Sequence, residues 1–163
     1  MPQQRPYTEQ DLNPKAKAYC AILRNRVKRH RCSSNDAEFS STRNDWWDIP
    51  RVAAACGTTT APFLCATGKN SSFMKQPNMV LEQAYQNMGV AIGERPQNRI
   101  PGGEYFKAGQ CAEPHAANRL LNDSANRNNL LTIGNLVFSK AYKVKNGMVR
   151  PYCETCRLVF PQL

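Results

Sequence analysis

Apolar residues recur at three- and four-residue spacing through Ala16, Tyr19, Cys20, Leu23 and Val27, the period of one helical face. Asn13 is placed to cap that helix and Pro14 to fill its first position, so the helix is expected to start there. Residues 1–12, polar and proline-containing, read as a flexible lead-in. Beyond a polar stretch at 32–50, short apolar runs at 51–56 and 62–66 flank a Gly-Thr-Thr-Thr segment. They predict a β-hairpin, although the alanines are poor strand formers. Thr67-Gly68-Lys69-Asn70 reads as the close of the second strand.

Helical spacing returns over 78–88 (Met79, Leu81, Ala84, Tyr85, Met88), with Gly89 as the stop. The methionines there are expected to fill core space. Residues 93–109 are rich in Pro, Gly, Asn and Arg and read as a loop at the mouth of a site. The whole of 71–110 has the character of an insertion. A helix is expected over 111–122, with Ala112, Ala116, Leu120 and Leu121 inward, then a loop to 129 and a strand over 136–144. Lys145-Asn146-Gly147-Met148 is a turn built on Asn-Gly, and a short helix over 153–160 closes the chain. A length of 163 residues suits one domain, 1–163, with a sizeable core.

Charge adds a direction. Lys and Arg number 22 against 12 Asp and Glu, a formal +10, which favours polyanionic partners, nucleic acid first. Residues 1–31 hold eight of the basic side chains and two acidic ones. Lys17, Arg24, Lys28 and Arg31 form a stripe beside the apolar face of the first helix; it is either a ridge that tracks phosphates or a solvated flank. Trp46-Trp47 in the polar loop either covers the edge of the core or offers a platform on which a base stacks. No run of about eighteen apolar residues exists, so no membrane span is expected, and the N-terminus lacks the apolar segment of a secretory signal.

Seven cysteines, an odd number, argue against a complete disulfide framework. Cys20, Cys32, Cys56 and Cys65 show no spacing logic and are expected to be buried free thiols. Cys111, with Glu113 two residues on, and the later Cys153-x-x-Cys156 are different. Three thiolates bind Zn²⁺ and leave its fourth tetrahedral position for water. Glu113 is too near Cys111 in sequence to be the fourth ligand and is well placed to move protons for that water. Both cysteine sites precede helix-like stretches, where amides and dipole favour thiolate over thiol.

Gly109-Gln110-Cys111-Ala112-Glu113-Pro114-His115 followed by Pro151-Tyr152-Cys153-Glu154-Thr155-Cys156 is the three-cysteine form of the zinc-deaminase signature. The two stretches resemble the cytidine-deaminase-like superfamily, and most of all its toxin-type bacterial and fungal members. In this family Pro and Cys normally adjoin, whereas here Tyr152 stands between them. The resemblance implies an α/β fold with three layers, α/β/α, a central mixed sheet and zinc between two helix N-termini. The family's last two strands have no counterpart after the CxxC helix, so they are absent or supplied by 71–110. It also implies substrate contacts from Ala112 and the Tyr152 loop. Asn70, at the strand end, carries over as a sugar or backbone contact or is simply a turn residue. His115 becomes a pocket-wall or packing residue.

The resulting expectation is a zinc-dependent nucleobase deaminase with Cys111, Cys153 and Cys156 as ligands and Glu113 as acid–base. Its substrate is expected to be cytosine, then adenine, in single-stranded DNA or RNA. By resemblance it is an effector acting in the cytoplasm of a target cell, delivered by means outside this chain and countered by an immunity partner. Three other readings stand beside it: a free nucleoside or nucleotide deaminase, a zinc-stabilised nucleic-acid-binding module, and a cysteine-nucleophile enzyme using Cys111 with Gln110 and His115.

Overall fold

Strand β1, Arg51–Gly57, is covered on both faces, and its composition follows from that. The computed structural model describes residues 5–30, 51–57, 64–71, 73–127 and 130–163, and the side chains of 27–30 and 56 fall outside that description. Successive strand residues point to opposite faces. Val52 and Ala54 pack with Leu12, Ala16, Cys20 and Leu23 of helix α1, Glu9–His30. Ala55 packs on the other side with Ala116, Ala117 and Leu120 of helix α3, Ala112–Leu121. Helices α2, Met79–Asn87, and α4, Glu154–Val159, join α3 there through Leu81, Tyr85, Cys156 and Val159. Three layers result, with the sheet between. Small side chains in β1 let helices approach from both sides, which outweighs alanine's weak strand preference.

Strand β2, Cys65–Lys69, pairs antiparallel with β1 from Val52↔Lys69 to Cys56↔Cys65. The other edge of β1 carries β3, Leu136–Phe138, and β4, Ala141–Lys143, and β5, Val149–Arg150, completes the order β2-β1-β4-β5. Every described pairing is antiparallel, where a mixed sheet is expected from the resemblance. Among the described residues, 71–110 supplies no strand and none follows α4. No described helix is long and apolar enough to cross a membrane.

The sequence pattern differs from the structure at several points. Helix α1 begins at Glu9, so Asn13 and Pro14 lie inside it and residues 9–12 belong to the core element rather than to a lead-in. Thr8 and Asp11 make the start: Thr8 N–H and Oγ donate to Asp11 Oδ2, each at 2.8 Å, and Arg5 pairs with the same carboxylate. Leu12, fully buried, extends the apolar face one turn earlier. The second strand runs Cys65–Lys69, so Thr67-Gly68-Lys69 closes it as expected, while its start lies later than that of the apolar run at 62–66. The expected strand over 136–144 is broken: the register with β1 slips by one residue between Phe138 and Ala141, leaving Ser139 and Lys140 opposite Ala54. This bulge is fully satisfied, since Ser139 Oγ accepts from Ala54 N–H at 2.8 Å and Asn13 Oδ1 accepts from Lys140 N–H at 2.9 Å.

On α2 the core stripe is Leu81 and Tyr85, four residues apart. Met79 lies roughly 200° round from Leu81, and Met88 lies past the helix end. Both are therefore exposed rather than core filler. Cys20 is a buried free thiol as expected, whereas Cys65 is disulfide-bonded.

Gly68 sets the spacing between β2 and α3. A Cβ there would lie 2.2 Å from the Ala116 nitrogen, 2.7 Å from the His115 carbonyl carbon and 2.8 Å from the Ala112 oxygen, all backbone atoms that cannot swing aside. Gly68→Ala should therefore destabilise the fold by at least the roughly 1–3 kcal/mol of an overpacked core. Gly134→Ala, where nothing lies within 4 Å, should be near neutral. Urea unfolding of both variants checks this; equal midpoints would show that α3 does not depend on that contact.

Candidate metal centre

The chain turns sharply into α3. Gly109 takes φ +78°, and Gln110 N–H donates to the Lys107 carbonyl at 3.0 Å while its side-chain oxygen accepts from Lys107 N–H at 3.2 Å. Cys111 follows as the N-cap of α3, with φ −71° and ψ 165° and no capping bond from its side chain. Its sulfur is turned towards α4 instead. There Cys153 is the N-cap and its Sγ accepts from the Cys156 N–H at 3.4 Å. The sulfurs of Cys111 and Cys153 lie 3.2 Å apart, those of Cys153 and Cys156 3.4 Å apart, and all three fall within 4.8 Å of one another. All three residues are buried.

Three thiolates sharing a tetrahedral ion at about 2.3 Å have sulfurs about 3.8 Å apart. Two of the observed separations fall a few tenths of an ångström short of that and the third is within 4.8 Å, so the cluster can hold a metal ion. Neither Glu113 nor His115 belongs to the group. Mutual hydrogen bonding within the cluster holds the Cys153 thiol well below its ordinary range and pushes those of Cys111 and Cys156 up. A cation bound among the sulfurs would displace the thiol protons.

Glu113, the second residue of α3, is 3% exposed. Burial pushes its carboxyl up to about 7; its own backbone N–H and Arg51 oppose that, and the Cys153 sulfur adds to it. A cavity of about 40 Å³ beside Cys111 is lined by Arg51, Asn70, Phe106 and Gln110, room for a water or two. Asn70 accepts from Arg51 N–H through its side-chain oxygen, leaving the amide nitrogen as the end without an assigned bond. Ala112 is buried against Gly68.

Other expected site residues have intramolecular partners. His115 Nε2 lies 3.3 Å from the Ser71 carbonyl, and burial lowers its pKa. The Gln110 side-chain oxygen is thus taken up by Lys107 and one ring nitrogen of His115 by Ser71. Tyr152 gives its hydroxyl to the Ser139 carbonyl at 3.1 Å and to Glu9 at 3.3 Å, tying the CxxC loop to the bulge and to α1. Lys17 sits over the Tyr142 ring at 5.6 Å, and Arg24 Nε donates to the Val144 carbonyl at 2.8 Å, both on the α1 side of the sheet. Trp46, Trp47 and Arg31 and the side chain of Lys28 lie outside the described residues.

Residues 71–110 build much of the site wall. Tyr85, completely buried, stands beside the sulfurs and accepts from Gly109 N–H at 3.3 Å. Thr155 Oγ donates to the Phe106 carbonyl at 2.7 Å, and Glu154 N–H to that of Glu104 at 2.9 Å, so this segment pins the start of α4. Arg51 and Phe106 were not foreseen from the sequence. For Arg51 the signal is its two-residue phase with Ala53 and Ala55, which puts it on the α3 face. Compared with protein-family models, curated proteins and solved structures, the chain matches none.

Purified protein should carry one metal ion per chain by elemental analysis. Cys111→Ser, Cys153→Ser or Cys156→Ser should each lose it and unfold at lower temperature, while Cys20→Ser keeps it. Full metal content in all three cluster variants would refute the assignment.

Proposed function

We propose that this chain is a zinc-dependent hydrolytic deaminase of a nucleobase, cytosine before adenine, in single-stranded DNA or RNA. The observation that carries the reading is a buried carboxylate, Glu113, in the first turn of the helix capped by Cys111 and within electrostatic reach of the Cys153 sulfur, one of three that converge. A soft, three-thiolate donor set with no fourth protein ligand among the described residues suits Zn²⁺. When bound, zinc supplies Lewis acidity that lowers the pKa of water towards about 7.

The protein's own part is proton traffic and positioning. Deamination adds the elements of water across a C=N-type ring carbon and expels ammonia, so a proton must leave the water, reach the ring nitrogen and then the departing amine. Glu113 is the group available for each transfer, and α3, locked onto β2 at Gly68, keeps it in place. Asn70 presents its free amide end at the cavity. The overall basic charge suits a polyanionic substrate, and the resemblance to toxin-type deaminases supports an effector role in a target cell with an immunity partner.

Glu113→Ala should keep metal and fold, because Glu113 is not a ligand, and should lose roughly 10²–10⁴-fold or more of its activity. Glu113→Gln should be nearly as inactive. The assay converts cytosine or adenine in single strands, duplexes and free nucleosides with zinc-loaded protein. A zinc-loaded wild type inactive on all of these would leave the binding-module reading; an active Glu113→Ala would overturn the mechanism.

A further inference from the structure

We infer that Arg51 is a specificity residue that grips the phosphate of the substrate nucleotide, so that the site favours phosphate-bearing substrates over free nucleosides. The inference rests on the deaminase reading for the identity of the substrate, but its geometry is independent of the metal. Arg51 opens β1 on the α3 face and lines the same cavity as Cys111 and Asn70. Its guanidinium lies over the Phe106 ring, 5.2 Å from the centroid. Its backbone is clasped at both ends by Asn70: Arg51 N–H donates to the Asn70 side chain, and Asn70 N–H donates to the Arg51 carbonyl at 3.0 Å.

The backbone is therefore fixed and the guanidinium rests over a ring, yet among the described residues it has no hydrogen-bond or ion-pair partner. It acts on Glu113 through space without pairing with it, which leaves that carboxylate free for proton transfer. A planar fork of five donors, held against an aromatic ring with its edge unused, matches a phosphate bidentately in a way a lysine does not. Carboxylate recognition would need the same fork, but a chain of net charge +10 favours a polyanionic substrate, and phosphate is the anion that a nucleic acid carries. Lys17 and Arg24 are engaged on the far face of the sheet, whereas Arg51 lines the cavity beside Cys111.

The test is calorimetric binding of cytidine, cytidine 5′- and 3′-monophosphate and a short cytosine-containing single strand. It uses zinc-loaded Glu113→Ala protein with and without Arg51→Gln, so that turnover does not intrude. With Arg51 present, at least one monophosphate or the strand should bind roughly ten- to hundredfold tighter than cytidine, the range for hydrogen bonds to a charged group. Arg51→Gln should collapse that ratio towards one, and Arg51→Lys should give an intermediate value; the Lys variant decides the matter if Gln does not fold. Monophosphate and strand arms separate a terminal phosphate from a phosphodiester. An unchanged ratio in both variants, no preference with Arg51 present, or no binding of any probe would overturn the inference. Loss of the deaminase reading shows elsewhere, as a wild type that binds these probes and converts none.

Discussion

Three sulfurs drawn from points some forty residues apart meet in a buried cluster, and the rest of the molecule is arranged to make that meeting tolerable. Without a cation, hydrogen bonding within the cluster and burial push the Cys111 and Cys156 thiols up. With a divalent ion, all three lose their protons, and the binding free energy becomes folding free energy for α3, α4 and the segment between them. The cluster thus joins the two ends of the C-terminal half more tightly than the short helix α4 could do by packing alone.

Geometry around the cluster is set by close approach. Gly68 lets α3 rest on β2 at backbone distance, which fixes the azimuth of Cys111 and Glu113. The bulge at Ser139-Lys140 gives Tyr152 a carbonyl to hold, and Tyr152 in turn anchors the CxxC loop to α1. Asn118, buried on α3, accepts from Asn78 N–H at 2.7 Å and donates to the carbonyls of Lys75 and Gln76, so the segment leading into α2 is stitched to the same helix. What looks like an insertion in the sequence is structurally the wall of the site, since Tyr85, Phe106 and Gln110 all come from it.

The convergence of the three cysteines was legible because its signal is local: a Cys at a helix start and a CxxC at another need no tertiary knowledge to be recognised. Helices α2, α3 and α4 were legible from period and caps, within a residue or two. The misreadings have tertiary causes. Asn13-Pro14 looks like a helix start, but the Thr8–Asp11 pair caps earlier and Leu12 finds the core. Gly68 was placed at the close of β2, but only the packing of α3 reveals why the strand needs a glycine there. The break at Ser139 is invisible to hydrophobic periodicity because a single hydroxyl repairs it. Arg51 passed unnoticed for a similar reason: its partner ring, Phe106, lies fifty-five positions away.

The central claim is an open three-sulfur zinc site rather than a closed structural one. X-ray absorption at the zinc edge of the purified wild-type protein tests it most directly. The account predicts three sulfur neighbours at about 2.3 Å and a single oxygen neighbour near 2.0–2.2 Å. A fourth sulfur, an imidazole in the fourth position, or a protein that takes up no zinc would contradict it.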